Sequence, residues 1–202
     1  MIEAIPDTDR LTLRINRPDK ANALTEAMLN DLAGHVEGAT CKVLILTGAG
    51  SVFSAGADLD DVRHGTLATS PAWERLSSAI AGFEGLSVAA LNGSCAGGSM
   101  GMMLACDLRV AVPSAKVFYP VIKIGVLPQP SDPARLKELV GPAVAKRILL
   151  TGAKLTASEA QAAGLIDVIA QTGLEDAVEA LIAPTLSAPL DQIKGIKALI
   201  AG

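Results

Sequence analysis

An α/β fold with a parallel sheet is predicted by the order of apolar patterns along the chain. Three short apolar runs rich in branched residues have the character of buried strands, at 42–47, 88–92 and 107–112. Segments whose apolar residues have helical spacing lie between and after these runs, near 71–83, 98–106, 134–149 and 174–183. Because strands that alternate with helices form βαβ units, we expect the strands of the sheet to be parallel.

The N-terminal segment carries its own signals. Residues 10–16 alternate in polarity and follow a turn-like PDTD, which predicts an antiparallel pair with residues 2–5. The apolar spacing after position 25 predicts a helix over 26–36, and Thr25 is its predicted N-cap.

The C-terminal third reads as helical with one short strand. Thr156 and Glu159 form a T-x-x-E capping box that opens a short helix, and Gly164 can close it in a left-handed conformation. Residues 174–202 are predicted to form two helices that break around Ala183-Pro184. No linker-like composition occurs, so we predict one core over 1–170 and a helical tail over 171–202.

The composition argues against several classes of protein. The 202 residues carry a net charge of −4 and only 2% aromatics, which gives neither the positive field nor the stacking rings that nucleic acids need. Cys41, Cys95 and Cys106 lack the spacing of a disulfide framework or a zinc site, so we predict no metal and a cytoplasmic protein. Glycines and polar residues interrupt the uncharged run 85–106, which favours buried chain over a membrane span.

A glycine-dense loop follows the first predicted buried strand, at 46–59. It lacks the third glycine of a dinucleotide fingerprint, because Phe53 stands there, and it lacks the lysine of a phosphate-binding loop. Glycines that only make turns remain an alternative at this point.

A second glycine loop, at 91–107, runs from a predicted strand into an apolar helix. If the two loops converge, their backbone N–H groups could form an oxyanion hole. The same loop contains Gly93-Ser94-Cys95-Ala96-Gly97, which resembles a thiol nucleophile elbow and keeps a Cys95 hydrolase as a minor alternative. A base is expected after the nucleophile in the chain, yet His35 and His64 both precede it.

Three segments make the sequence similar to the enoyl-CoA hydratase/isomerase (crotonase) family: NRPDKANAL at 16–24, FSAGADL at 53–59 and NGSCAGGSMGMMLACD at 92–107. The similarity continues through 115–128 and 139–169 and covers nearly the whole chain, which ends short of a usual member. It implies a crotonase-like ββα spiral core with a shortened C-terminal helical region. It also implies an acyl-CoA thioester as ligand, no cofactor besides the coenzyme A of the substrate, and a homotrimer or hexamer.

The resemblance also implies the site residues. By position, the two backbone N–H groups that bind the thioester oxygen are those of Ala57 and Gly98. An enolate places its charge on this oxygen, and removing one such donor typically lowers the rate by about 10²–10³. The residues expected along the path of coenzyme A are Lys20, Ala21, Ala55, Asp58, Leu59, Asp60 and Gly97.

Both acids that the family's hydratases use are missing here. Gly101 stands at the position of the first and Val121 at the position of the second, so ordinary hydratase activity is not expected. Asp132, in the loop after Pro128, and His64 are the candidate replacements. A turn or N-cap role before Pro133 is the competing interpretation of Asp132. Weaker candidates are Ser99, Tyr119 and Lys123.

Two functions follow as hypotheses. The first is an acyl-CoA enzyme that uses the oxyanion hole without the usual glutamates, for isomerisation, decarboxylation or thioester hydrolysis. The second is a catalytically silent acyl-CoA-binding or partner subunit, which the two missing acids favour.

Overall fold

The computed structural model describes residues 1–201, except for the side chains at positions 59, 63, 64 and 201. The strands of this part are β1 (Ile2–Asp7), β2 (Arg10–Ile15), β3 (Val43–Gly48), β4 (Val52–Ser54), β5 (Leu86–Leu91), β6 (Ser94–Ala96), β7 (Leu108–Ala111), β8 (Lys116–Phe118), β9 (Lys154–Thr156) and β10 (Val168–Ile169). The helices are α1 (Glu26–Glu37), α2 (Leu59–His64), α3 (Ala72–Ala81), α4 (Ser99–Ala105), α5 (Val121–Ile124), α6 (Asp132–Thr151), α7 (Ala157–Ala162), α8 (Leu174–Ser187) and α9 (Leu190–Ala201).

The strands form two sheets that the chain visits in turn. The larger sheet has the order β1-β2-β3-β5-β7-β10, and its neighbours are parallel except for the β1–β2 pair. The smaller sheet has the order β4-β6-β8-β9. A strand of the larger sheet is followed by one of the smaller sheet and then by helix: β3-β4-α2, β5-β6-α4 and β7-β8-α5. This repeat is a ββα spiral, so the predicted fold class is confirmed.

Both faces of the larger sheet are covered, because successive side chains of a strand point to opposite sides. Leu44 and Leu46 of β3 belong to the main core, with apolar residues of α1, α3 and α4. Val43 and Ile45 point the other way and belong to a smaller cluster beneath α8.

The predictions at the N-terminus and around the capping box are confirmed. Residues 2–7 pair antiparallel with 10–15, and Thr25 caps α1 by accepting a hydrogen bond from Met28 N. Thr156 and Glu159 form the reciprocal capping box of α7, and Gly164 has a φ of +81°. The uncharged run 85–106 is divided among β5, β6 and α4. Within residues 1–201, no helix combines the length and hydropathy needed to cross a membrane.

The predicted break at Ala183-Pro184 is wrong. Pro184 lies within α8 on its exposed side, and the chain leaves the helix only at Ala188, whose ψ is 153°. Ala188 precedes Pro189, and the residue before a proline favours this extended conformation.

Two features of the fold have no counterpart in the sequence analysis. The strands of the smaller sheet are three residues long each, too short for a period-2 pattern to identify them. In α6 the helix is kinked at Gly141, whose φ of 72° and ψ of 168° are not helical.

Candidate active site

The segment 16–24 forms a scaffold for the first glycine loop. Ala21 and Asn22 both have positive φ, of 50° and 55°. Asn22 is fully buried; its Nδ2 donates to the carbonyl oxygens of Ala49 and Val52, at 2.8 and 2.6 Å, and its Oδ1 accepts from Arg17 N at 2.9 Å. The segment is therefore held to the end of β3 and the start of β4.

The same segment fixes the loop after β4. Ala55 N donates to Ala21 O at 3.0 Å, and Leu24 forms a parallel bridge with Ala57. Asp58 caps α2 by accepting from Asp60 N at 2.9 Å, and its other oxygen accepts from Arg17 at 2.5 Å. The Arg17 guanidinium lowers the pKa of the Asp58 carboxyl, which stays charged. Asp58 therefore acts here as a helix cap and ion-pair partner.

The two glycine loops are in direct contact. β4 and β6 are parallel neighbours, and Ser99 Oγ lies 3.1 Å from Ser54 O and 2.7 Å from Ala96 O. Gly56 has a φ of +92°, and a Cβ at this position would lie 2.9 Å from Gly98 N and 2.7 Å from Ala96 O. Only glycine allows this close approach of the two loops.

Two backbone amides at this contact have no hydrogen-bond partner among the described residues, those of Ala57 and Gly98. The bridge to Leu24 uses Gly56 O and Asp58 N, so the intervening Ala57 N–H is left free. Gly98 is the N-cap of α4, where helix geometry provides no internal acceptor for its N–H. Ala57 and Gly98 are both half-buried, so part of each residue is accessible from outside.

Asp132 occupies the space that Gly101 leaves in α4. A Cβ at Gly101 would lie 2.8 Å from Asp132 Oδ1 and 3.0 Å from Ser77 Oγ. Gly101 N donates to Gly98 O at 3.1 Å, so the residue that Asp132 contacts follows Gly98, whose amide is free, by one turn of α4. A carboxylate from α6 thus lies beside Gly101, the position at which the family resemblance predicts that an acid is missing.

The Asp132 carboxylate is buried and only half satisfied. Its residue is 1% exposed, Oδ2 accepts from Tyr119 OH at 2.8 Å, and Oδ1 has no hydrogen-bond partner among the described residues. Burial raises the pKa of Asp132 to about 6, against the lowering effect of the Tyr119 hydrogen bond. Ser131, not Asp132, is the N-cap residue of α6, so the N-cap form of the competing interpretation is wrong. Its turn form agrees with the structure, because Asp132 N donates to Gln129 O at 3.1 Å.

Helix α3 closes the site from the other side. Trp73 packs against Gly98, where a Cβ would lie 2.8 Å from the indole ring, and Ser77 lies beside Gly101 one turn further on. The Trp73 indole N–H donates to Leu67 O at 2.8 Å.

The environments of the other candidate groups differ from that of Asp132. Cys95 is fully buried and burial raises its pKa to about 12, which argues against the thiol-hydrolase alternative. Val121 packs in the core and supplies no carboxylate. Ser99 is fully buried between the loops, and Lys123 donates to Gly152 O. The side chain of His64 lies outside the described residues.

The residues predicted along the path of coenzyme A form a partly continuous surface. Ala21 and Ala55 are hydrogen-bonded through their backbones, and Gly97 contacts Ala55, since a Cβ there would lie 3.5 Å from Ala55 O. Lys20 and Asp60 are exposed. The side chain of Leu59 lies outside the described residues.

A large groove of about 1060 Å³ lies elsewhere, on the face of the larger sheet that carries α8. Its lining includes Arg10, Thr47 and Glu179, and none of Ala57, Gly98 and Asp132. Volume alone would select this groove, but it lacks the unpaired amides and the buried carboxylate, so we place the candidate site at the glycine loops.

Sequence reasoning missed the scaffolding residues Arg17, Asn22 and Trp73. The signal for Asn22 was available, because asparagine tolerates positive φ and commonly bonds nearby backbone. No local signal exists for Trp73, whose contact with Gly98 depends on the packing of α3 on α4.

A pair of glycine-to-alanine variants tests the contact between Gly101 and Asp132. Gly34 lies within α1 with no atom within 4 Å of its Cβ position, so Gly34→Ala should raise the free energy of unfolding by about 0.5–1 kcal/mol. Gly101→Ala forces Asp132 aside and should instead lower it, by about 1–2 kcal/mol. Urea denaturation measures both. Equal stabilisation by the two substitutions would contradict the contact.

The two sheets and the repeated ββα unit place this protein in the class of α/β proteins with a ββα spiral. The family model described as enoyl-CoA hydratase/isomerase matches residues 11–201, so the chain belongs to the enoyl-CoA hydratase/isomerase family. The 2,3-dehydroadipyl-CoA hydratase of Escherichia coli (strain K12) is 36% identical over 77% of this chain. The chain spans 64% of that relative's length.

Solved structures agree with the fold. The enoyl-CoA hydratase/isomerase from Pseudoalteromonas atlantica T6c has a TM-score of 0.89 and 31% identity, over 98% of this chain and 82% of that one. A protein assigned as an enoyl-CoA hydratase from Thermobifida fusca YX, solved in complex with CoA, has a TM-score of 0.90 and 26% identity, over 99% and 84%. These proteins have the fold that this chain adopts.

Proposed function

We propose that the protein binds acyl-CoA thioesters and catalyses proton transfer at the carbon next to the thioester carbonyl. The amides of Ala57 and Gly98 hold the enolate oxygen, and Asp132 moves the proton. The observation that carries this proposal is the buried, unpaired Oδ1 of Asp132 beside Gly101, the residue one turn along α4 from Gly98. An active site is where an orphaned buried carboxylate oxygen is expected.

The reaction begins when the thioester binds. The thioester oxygen accepts hydrogen bonds from the two free amides, and the α-carbon of the acyl group faces the Asp132 carboxylate. The Asp132 carboxylate takes a proton from the α-carbon, the C–H electrons form the enolate double bond, and the negative charge moves to the oxygen. Both amides donate to that oxygen, so they stabilise the charge as it develops.

A single carboxylate favours isomerisation over hydration. Protonated Asp132 can return its proton to the α-carbon or, in an unsaturated chain, to the γ-carbon, which moves the double bond. Hydration needs a second group to activate water, and Val121 provides none. Decarboxylation would also form an enolate, and thioester hydrolysis would also place negative charge in the oxyanion hole. Neither reaction requires Asp132 to return a proton that it took from the substrate.

The binding of coenzyme A is supported by the relative from Thermobifida fusca YX that was solved in complex with CoA. Lys20 and Asp60 are exposed beside the loops, where they can meet the polar end of the ligand. The homotrimer or hexamer, the cytoplasmic location and the division at residue 170 stay predictions.

Deuterium exchange tests the proposal without a known substrate. The protein is incubated with butyryl-CoA in D₂O, and mass spectrometry follows deuterium at the α-carbon. We expect exchange at least about 10²-fold above the protein-free rate, the contribution typical of an acid/base group. Calorimetry with the same thioester measures binding.

The alternative is a catalytically silent acyl-CoA-binding subunit, which the 1% exposure of Asp132 favours. Binding of butyryl-CoA without exchange would select this alternative. Absence of binding would contradict both functions.

A further inference from the structure

Asp132 is held by one neighbour whose hydroxyl has a fixed direction. Tyr119 OH donates to Asp132 Oδ2 at 2.8 Å, and it accepts from Gln129 N at 3.3 Å. Because the backbone amide can only donate, the phenolic proton must point to the carboxylate. Tyr119 is 3% exposed, so packing fixes its ring.

This arrangement makes the two carboxylate oxygens unequal. A free carboxylate rotates easily about its terminal torsion, since that torsion is broad. Here Oδ2 is engaged by Tyr119, while Oδ1 stays unpaired beside Gly101. Burial and the negative charge of Asp132 raise the pKa of Tyr119, so the phenol remains a donor at all working pH values.

We propose that Tyr119 is the positioning residue of this site: it holds Oδ2 so that Oδ1 faces the reacting carbon. This inference rests on the proposed function. It assigns a role to Tyr119, which directly follows β8 and is neither of the two positions, Gly101 and Val121, where the resemblance predicts missing acids.

Other charged and titratable groups face Asp132 from the surrounding elements. Glu74 of α3 raises its pKa and Arg135 of α6 lowers it; both are held near it through Ser131, which donates to Glu74 at 3.0 Å and accepts from Arg135 at 2.6 Å. The thiol of Cys95, from β6, is protonated and carries no charge. Among these groups of the described residues, Tyr119 alone forms a hydrogen bond to the carboxylate.

The first test measures the pKa of Asp132 directly. Protein labelled with ¹³Cγ-aspartate is titrated by NMR, and Asp132→Asn assigns the signal. Tyr119→Phe removes the hydrogen bond that lowers the pKa of Asp132, so we expect this pKa to rise by about one unit or more. Thr47→Val, which removes a hydroxyl that donates to Ala90 O on the other side of the molecule, should leave it unchanged.

If Tyr119→Phe does not fold, a second measurement tests the contact between Tyr119 and Asp132. Tyr119 is the only tyrosine of the chain, so absorbance at the tyrosinate band follows its ionisation alone. Asp132→Asn removes the charge and the acceptor that raise the pKa of Tyr119, so we expect tyrosinate to appear at a lower pH in this variant than in the parent protein. An unchanged pKa of Asp132 in folded Tyr119→Phe, or tyrosinate that appears at the same pH in Asp132→Asn and the parent protein, would overturn the inference.

The functional consequence is a shift in pH dependence. If exchange into butyryl-CoA requires ionised Asp132, the pH of half-maximal exchange should move upwards in Tyr119→Phe by the same amount as the pKa of Asp132. A purely structural role would lower the rate at every pH without this shift, and that result would overturn the positioning role. A further outcome is that the pKa of Asp132 shifts in Tyr119→Phe although the parent protein catalyses no exchange. That outcome would reject the proposed function, but it would still show that Tyr119 and Asp132 are coupled.

Discussion

Asp132→Asn is expected to abolish proton transfer while making the fold more stable. The amide cannot accept a proton, so exchange into butyryl-CoA should fall by about 10²-fold or more, with binding of the thioester preserved. Asp191→Asn, an exposed aspartate on α9, is the matched control and should leave exchange unchanged. Retained exchange in Asp132→Asn would show that another group moves the proton.

The stability effect follows from the raised pKa of Asp132. The folded pKa is about 6 and the ordinary value is 3.8, so between these values the folded protein binds more protons than the unfolded chain. Stability is therefore highest below about pH 4 for this group and falls as the pH rises through 6. The difference corresponds to about 3 kcal/mol, which Asp132→Asn should recover in part at pH 7.5.

Urea denaturation at two pH values checks this prediction. Asp132→Asn should be more stable than the parent protein by about 1–3 kcal/mol at pH 7.5, and the difference should shrink at pH 4.5. A variant that is less stable at pH 7.5 would mean that the buried carboxylate is well solvated or paired. A residue that lowers stability while it is ionised is typical of a functional site.

Much of the fold could be predicted because its signals are local. The branched apolar runs identified the strands β3, β5 and β7, and the caps at Thr25 and Thr156 identified helix starts. The smaller sheet could not be predicted, since its strands are too short to carry a pattern. The continuity of α8 through Pro184 depends on the exposure of that proline, which sequence does not specify.

The candidate site was also predictable only in part. The glycine loops were recognisable, but the sequence gives no measure of the space at Gly101. Asp132 before Pro133 has the local pattern of a turn or cap, and only the packing of α6 against α4 turns its carboxylate inwards. Tyr119 was a weak candidate because its partner, Asp132, is thirteen positions away in the chain.

Asn22→Ala is expected to be strongly destabilising, because the substitution removes the three hydrogen bonds of a fully buried side chain. The carbonyl oxygen of Ala49 and the amide of Arg17 lose their side-chain partners, and Val52 O keeps only a weaker one, from Asn92 at 3.2 Å. We expect a loss of about 3 kcal/mol in the free energy of unfolding, measured by urea denaturation. Asn30→Ala, on the surface of α1, should change it by less than about 0.5 kcal/mol.

The loss of stability in Asn22→Ala has two causes: the lost side-chain hydrogen bonds and the strain of alanine at a positive φ. A glycine variant separates them. Asn22 has a φ of 55°, which glycine adopts without strain, so Asn22→Gly should be about 1 kcal/mol more stable than Asn22→Ala. The remaining loss then measures the side-chain hydrogen bonds. Because Ser54 Oγ donates to Asn22 O and Gly56 N donates to Ser54 Oγ, the same variants should weaken butyryl-CoA binding through the loop that carries the Ala57 amide. Unaltered stability in Asn22→Ala would contradict the view that this side chain holds the first glycine loop in place.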